Sequence, residues 1–492
     1  MAGHTGGHSR VGLVQTAVVT NALPETNPIA AEHYGAKTVA VEPGGVDRIP
    51  RSERHGKPLQ LLWTWTSPNL EFATIAVGII GPLFFGLSFW QTFAAIVLGT
   101  VLGSATHGVL SSWGPPSGLC QMVLSRTGFG FVGNILPAGL NSLVAGIGWF
   151  AVNSISGALA LHALVGGLPK ALCLLIVVAA QLTIAFFGHN LVHAFERYAL
   201  PLLAVVFFIG LWFVFGKSHL SAPGHGGLPT SGAFLIETAA TFGYACGWNP
   251  YASDYTRYLP SGTDRRATGL SAGLGVLVSC VVLETAGAAM VTAAGKAAAV
   301  DPGVYTGLMP TWLGDLTLLC IAVGAVAANA LNIYSGALSF LALGVRLPHR
   351  RARAIVAAVF GVLGLVLAFF GLTNAGQNYE NFLLVIAYWI GPWLGVVLVD
   401  RVLTKGRDIV AISLDRSATN WAGPIAMALG MVVSIVLFSN QTEYTGPIPH
   451  AHPGIGDITF LVGFLIAAAG YPVLRAVLPP SRKGQYVEEV SV

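Results

Sequence analysis

The sequence predicts an all-α integral membrane protein of twelve transmembrane helices, the first and sixth of them broken. Three observations predict it. Only 9% of the 492 residues are charged and 54% are hydrophobic, whereas a soluble domain carries roughly 25% charged residues. Apolar runs of the roughly 20 residues a helix needs to cross a bilayer recur from residue 61 to 478. The cations fall almost entirely on one side of the map those runs define.

Residues 1–57 are rich in Gly, His and Ala and lack the apolar core of a signal peptide. They are expected to be a disordered cytoplasmic tail, with His4 and His8 solvated rather than metal-bound. The twelve-helix membrane body is expected over 58–478, and 479–492 is expected to be a second short cytoplasmic polar tail. Within the body the spans are expected at 61–88, 90–111, 131–161, 171–188, 199–216, 233–255, 268–295, 310–343, 353–371, 380–400, 421–439 and 457–477. Barrel strands are short and alternate in polarity, so runs of this length read as helices. With the N-terminus in the cytoplasm, only Lys170, Lys217 and Lys296 of the 25 Lys and Arg lie on the outer side. Such a bias places both termini inside, and the expected location is the cell membrane. A missed or extra helix would invert every later loop and erase the bias. Cys120, Cys173, Cys246, Cys280 and Cys320 have no metal or redox spacing and read as small buried hydrophobes.

Two spans carry internal breaks. In span 1 the triplet Ser67-Pro68-Asn69 interrupts an apolar run, because proline removes a helix hydrogen bond and clashes with the preceding turn. In span 6 the run from Thr241 is interrupted by Gly243, Gly247 and Pro250. Irregular backbone at membrane depth is tolerated only where it faces protein or a water-filled cavity. Five spans separate the breaks, so the two helices enter from opposite sides. Matching interruptions in two inverted halves point to the binding site of a secondary transporter; a proline kink without function is the other reading. No phosphate-binding G-x-x-x-x-G-K-[ST] loop and no H-E-x-x-H metal motif accompanies the spans. Nothing marks a buried nucleophile and base, so an enzyme, a cofactor and a bound nucleic acid are not expected.

The segment Trp248-Asn-Pro-Tyr-Ala-Ser-Asp-Tyr-Thr-Arg-Tyr-Leu-Pro260 resembles the end of span 6 in the nucleobase:cation symporter family, in its cytosine/purine permease branch. Gly114–Gly130 resembles the loop after span 2 of that family, Gly148–Asn153 its span-3 pattern, and Ala327–Ser335 the asparagine pair of its span 8. The resemblance covers roughly 58–478. It implies two inverted five-helix repeats of leucine-transporter type, two extra helices, and alternating access. It also implies a planar heterocyclic substrate, such as cytosine or a purine, held between aromatic rings and read by amides, with no obligate protein partner.

On that resemblance Trp149 matches the stacking tryptophan, and Asn153 falls where relatives carry an amide. Tyr244, after Gly243, falls near the second aromatic, with Ala245 as the rival alignment. Asn329 and Asn332 match the asparagine pair. The chemistry of these residue types agrees with the assignment. Aromatic faces stack on bases for roughly 1–3 kcal/mol each, and an amide offers both a donor and an acceptor to a base edge. Asn153 follows Trp149 by one helical turn, and Asn329 and Asn332 also share a helical face. The competing reading is that these amides join helices, a common use in membranes.

Sodium-coupled relatives place hydroxyls on span 8 before the first asparagine. Here Ile321–Asn329 contains no Ser or Thr, so a coupling proton is expected before sodium. Ionisable groups cost roughly 2.5–3.5 kcal/mol at a helix centre on insertion scales. Glu71 and Glu284 are therefore coupling candidates, or else structural hydrogen-bonded carboxyls, with His107 behind them. Asp254 and Arg257, three residues apart at the cytoplasmic end of span 6, read as an inner gate or a solvated surface pair. Allantoin, hydantoin, uracil or a vitamin-like ring are alternative substrates. A non-transporting receptor and an amino-acid transporter are the rival classes.

Overall fold

The structure, a computed structural model, describes residues 1, 3, 45–187, 189–345 and 349–481, and omits the side chains of 184–200, 202, 330 and 349–357. Most of the expected N-terminal tail, with His4 and His8, and the end of the C-terminal tail lie outside the described residues. Each of the twelve expected ranges holds a helix or helix pair. Span 1 is Gln60–Thr66 with Phe72–Phe84, span 2 is Phe89–Ser111, span 3 runs from Ile135–Leu143 into Phe150–Leu164, span 4 is Lys170–Phe187 and span 5 is His189–Lys217. Span 6 is Thr230–Cys246 with Ala252–Thr256, span 7 is Arg265–Ala294, span 8 is Thr311–Ala342, span 9 is His349–Gly371, span 10 is Ala375–Leu403, span 11 is Ala422–Phe438 and span 12 is Thr459–Val477. Among the described residues six helices, and the bent pair of span 1 as a seventh, are long and apolar enough to cross a membrane. The described residues form no strand, only three isolated bridges.

Burial is arranged as a lipid solvent demands. Large apolar side chains face outward, with Phe208 75% and Trp212 81% exposed. The interior instead encloses Glu71, Glu237, Glu284, Asn329 and Asn332, all fully or almost fully buried. All five cysteines are buried and free, as expected. Close helix contacts are made by glycine, since small residues let membrane helices bring their backbones together. A Cβ on Gly78 would fall on the backbone carbonyl of Glu284, and one on Gly287 on that of Ile75. The second half of span 1 and span 7 therefore touch backbone to backbone.

Sequence patterning also shows at the helix ends. Ser88 and Gln91 close a reciprocal capping box at the start of span 2, and the Asp264 side chain accepts from the Ala267 N–H at the start of span 7. Residues 45–57, which the composition groups with the N-terminal tail, pack onto the body. Ile49 N–H donates to the Gly118 carbonyl at 3.0 Å, and His55 N–H donates to the Tyr258 carbonyl. Arg54 donates to Ile49 and Pro115 carbonyls. Its guanidinium is brought down to about 10 by burial and then by the Arg48 and Arg51 charges, which leaves it cationic at neutral pH. Gly118, at φ +70°, is the residue type this turn requires, and a side chain there would strike Arg54.

Candidate functional site

The two breaks meet. In span 1, Ser67–Asn69 form a single tight turn, Leu70 leaves helical geometry (ψ 68°), and Glu71 is extended before the second half begins. The halves are bent by 61°. The groups the break releases are recaptured locally. Asn69 Nδ2 donates to the Trp65 carbonyl at 2.6 Å, and Thr74 Oγ1 donates to the Asn69 carbonyl at 2.5 Å. In span 6 the helix stops at Cys246, and Asn249–Tyr251 form the tight turn before Ala252–Thr256. Trp248 Nε1 then donates to Asn69 Oδ1 at 2.9 Å. Thr74 and Tyr244 hydroxyls lie 2.5 Å apart. Because the Thr74 proton is already committed to Asn69, Tyr244 is the donor. Two direct bonds thus tie one break to the other.

Trp149 stands against this junction. It ends a π-helical turn, Val144–Trp149, inside span 3, a widening common at functional positions that no residue pattern announced. Its ring meets Tyr244 at 5.5 Å, Phe382 at 5.2 Å and Tyr379 at 6.5 Å, all near edge-on. A Cβ on Gly247 would lie 3.1 Å from the Trp149 ring, so the bare backbone of the span-6 break rests on the indole. Tyr244 meets Trp149, while Ala245 turns to Gly103 of span 2. Gly243 faces the Leu383 carbonyl of span 10 and serves helix approach.

The three asparagines form one network. Asn329 Oδ1 accepts from Asn153 Nδ2 at 3.1 Å and from Asn332 Nδ2 at 3.3 Å. Asn329 Nδ2 donates to the Phe150 carbonyl at 2.8 Å and to Ser154 Oγ at 3.2 Å. Asn332 Oδ1 accepts from Tyr251 OH at 3.1 Å, which joins the network to the span-6 break. Asn153 Oδ1 is buried and accepts nothing.

The two carboxyls have different partners. Glu71 sits at the junction, where Ser156 Oγ donates to it at 3.4 Å and Gly324 of span 8 leaves it room. Glu284 accepts from Thr100 of span 2 at 3.0 Å. His107 packs edge-on against Trp65 at 4.3 Å. Asp254 and Arg257 are buried, at 1% and 0% exposure, so the solvated-pair alternative is excluded. Asp254 accepts from the Gln121 N–H at 2.9 Å. Arg257 donates to the Gly45 carbonyl at 3.0 Å and to Tyr334 OH at 3.1 Å.

A cavity of 370 Å³ lies beside the junction, lined by Phe72, Gly148, Ser156, Tyr379 and Phe382 and reaching Val300 in the loop after span 7 and Gly371 at the end of span 9. Its wall is largely apolar, and the asparagines and Tyr244 are not part of it. Sequence reasoning missed Glu237 of span 6, fully buried with neither carboxyl oxygen hydrogen-bonded. A single Glu within the apolar run of span 6 was the available signal.

Comparison with known proteins places this geometry. The sequence profile for permeases of cytosine/purines, uracil, thiamine and allantoin matches residues 48–463. The purine-cytosine permease fcyB of Emericella nidulans is 31% identical, over 89% of each chain. The putative purine-cytosine permease YxlA of Bacillus subtilis is 29% identical, over 92% of this chain and 99% of its own. Among solved structures, Mhp1, a nucleobase-cation-symport-1 family transporter in a closed conformation with bromovinylhydantoin bound, shares the fold. The TM-score is 0.69 at 19% identity, over 88% of this chain and 96% of Mhp1.

Proposed function

The chain belongs to the family of permeases for cytosine/purines, uracil, thiamine and allantoin, and from that premise we propose that it imports a nucleobase, cytosine or a purine, by proton-driven alternating access across the cell membrane. Ten of its twelve spans form two inverted five-helix repeats, spans 11 and 12 are additions, and both termini are cytoplasmic. The observation that supports this reading best is the junction of the two breaks with Trp149, Tyr244 and the asparagine network. A planar base is held by ring contacts worth roughly 1–3 kcal/mol each. Its N–H edge uses Asn153 Oδ1, the one network acceptor without a partner, and its remaining polar atoms exchange with bonds the three amides now make among themselves.

The cavity reaches Val300 in the loop after span 7 and Gly371 at the end of span 9, positions that the cation bias puts on the outer side. The inner side is closed by residues 45–57 against Gly118 and Tyr258. The structure is therefore an outward-directed or closed state, with Asp254 and Arg257 in the inner seal. Asp254→Asn loses the charge that holds the Gln121 N–H. Charge-assisted bonds contribute about 1.5–3 kcal/mol, so this variant is expected to bind substrate as wild type does while transporting about tenfold more slowly. Equilibrium binding and initial uptake rate, measured side by side, check it; unchanged uptake removes Asp254 from the gate.

Uptake of radiolabelled cytosine into proteoliposomes, competed with purines, uracil, allantoin, hydantoin, pyridoxine and amino acids, tests the substrate. Competition by cytosine and purines is expected, and competition by amino acids alone defeats the reading. Protons are favoured as the driver because Ile321–Asn329 offers sodium no hydroxyl and Glu71, a buried carboxyl held by Ser156 and the Ala73 backbone, stands at the junction. An imposed pH gradient at constant sodium is expected to drive accumulation. Stimulation by sodium at fixed pH would reverse the assignment.

A further inference from the structure

Behind the second half of span 1, the Glu237 carboxyl of span 6 lies against Gly81 and the Glu284 backbone of span 7 lies against Gly78, one turn away, and the charges of Glu284 and of Glu380 of span 10 both act on Glu237. Glu237 is fully buried, and neither of its oxygens accepts a hydrogen bond. The Gly81 backbone lies closest, and a Cβ at Gly81 would sit 3.1–3.2 Å from the carboxyl atoms. Glu284 has one oxygen on Thr100 Oγ1 and the other, Oε1, without a partner. Glu380 accepts from Gln377 and feels Asp457.

Among the described residues, no cation is one of the groups acting on Glu237. The groups acting on Glu237 are Glu284, Glu380 and the Gly81 backbone. The other elements packed against that part of span 6 bring no ionisable side chain to it. Phe72–Phe84 and Pro453–Ile455 contain none, and His107, the single one in span 2, packs against Trp65 instead. A carboxylate with only the Gly81 backbone beside it in a low-dielectric interior is heavily penalised, and neighbouring like charges add repulsion. One proton removes both penalties and supplies a donor where the cluster has only acceptors.

We infer that Glu237 is a proton-binding residue of the transport cycle, loaded from outer water and unloaded to inner water once per turnover, with Glu284 as its neighbour in the site. The inference rests on the transport function proposed above. Its location suits the role. Glu237 shares a helix with Tyr244, which touches Trp149, and it is covered by Gly81 of the half-helix that starts at Glu71. Movement of that half-helix, which alternating access requires, uncovers the carboxyl and displaces the substrate junction together. The proton is bound and released with no other bond changed.

The test is Glu237→Gln in proteoliposomes, with three readouts: cytosine exchange at zero gradient, accumulation under a one-unit pH gradient, and proton influx followed by an internal dye. One pH unit corresponds to about tenfold accumulation per proton. The expected variant exchanges cytosine at the wild-type rate, loses that roughly tenfold accumulation and carries no proton. Proton influx equal to wild type overturns the inference while leaving the transport reading intact. Wild-type protein that exchanges no nucleobase overturns the transport reading and this one with it. If Glu237→Gln also loses exchange, Glu237→Asp decides. Restored exchange with proton influx upholds the inference; exchange without proton influx, or no exchange, assigns Glu237 to structure.

Discussion

Replacing Asn329 with alanine is expected to weaken cytosine binding by about 100-fold, that is, by about 2.8 kcal/mol. The amide is the hub of the site. Its oxygen accepts from Asn153 and Asn332, and its nitrogen donates to the Phe150 carbonyl. Alanine strands two amide donors in a buried place, while the Phe150 carbonyl keeps the Ser154 hydroxyl. Each stranded group costs about 1–3 kcal/mol, so even partial rearrangement leaves a loss of this size. The bound base suffers more than the fold does, because Asn153 and Asn332 lose the partner that aims them. Equilibrium binding of labelled cytosine to purified protein checks the value, with melting temperature recorded on the same samples. Wild-type affinity in Asn329→Ala would remove Asn329 from the site.

Gly78→Val is expected to abolish the folded protein. The glycine Cα lies directly against the Glu284 backbone, and any Cβ there would overlap the carbonyl. The obstacle is main chain of span 7, which cannot swing aside as a long side chain can. To admit valine, the second half of span 1 must separate from span 7, which opens the neighbouring contact of Gly287 with Ile75. Overpacking typically costs about 1–3 kcal/mol; forcing two backbones apart exceeds that range and approaches the whole margin of a folded protein, about 5–15 kcal/mol. Size-exclusion profiles and melting temperatures in detergent are the measurement, with Gly78→Ala expected to fall between valine and wild type. A monodisperse Gly78→Val protein with the wild-type melting temperature would show that the two helices do not need this contact.

The site was legible where residue type and period carry the chemistry. Pro68 and the Gly247–Pro250 stretch announce breaks because proline and glycine act locally, on the backbone that carries them. Trp149 with Asn153, and Asn329 with Asn332, share helical faces by spacing alone. Glu284 illustrates the limit. A carboxyl in an apolar run signals a buried charge, but its position along the run does not tell which neighbour it meets, and it meets Thr100 rather than Trp149. Glu237 carried the same signal and was passed over, because a lone Glu among apolar residues shows nothing of its missing partners. The spacing of Asp254 and Arg257 fits an inner gate or a surface pair alike; their burial depends on residues 45–57 packing over the end of span 6.

By itself the sequence determined an all-helical membrane protein, the ranges of its helices, the two breaks and the residue types available for a heterocycle. Those properties depend on composition and on interactions within a turn or two of the chain. Tertiary structure alone decided that the breaks are bonded to each other through Asn69–Trp248 and Thr74–Tyr244. It alone decided that Tyr244 rather than Ala245 faces Trp149, and that the charges of Glu284 and Glu380 act on Glu237 with no cation among the described groups that do so. Each of these is a contact between helices far apart in the chain. Its partner is selected by glycine-limited packing and by the need to satisfy buried polar groups, which no local pattern encodes.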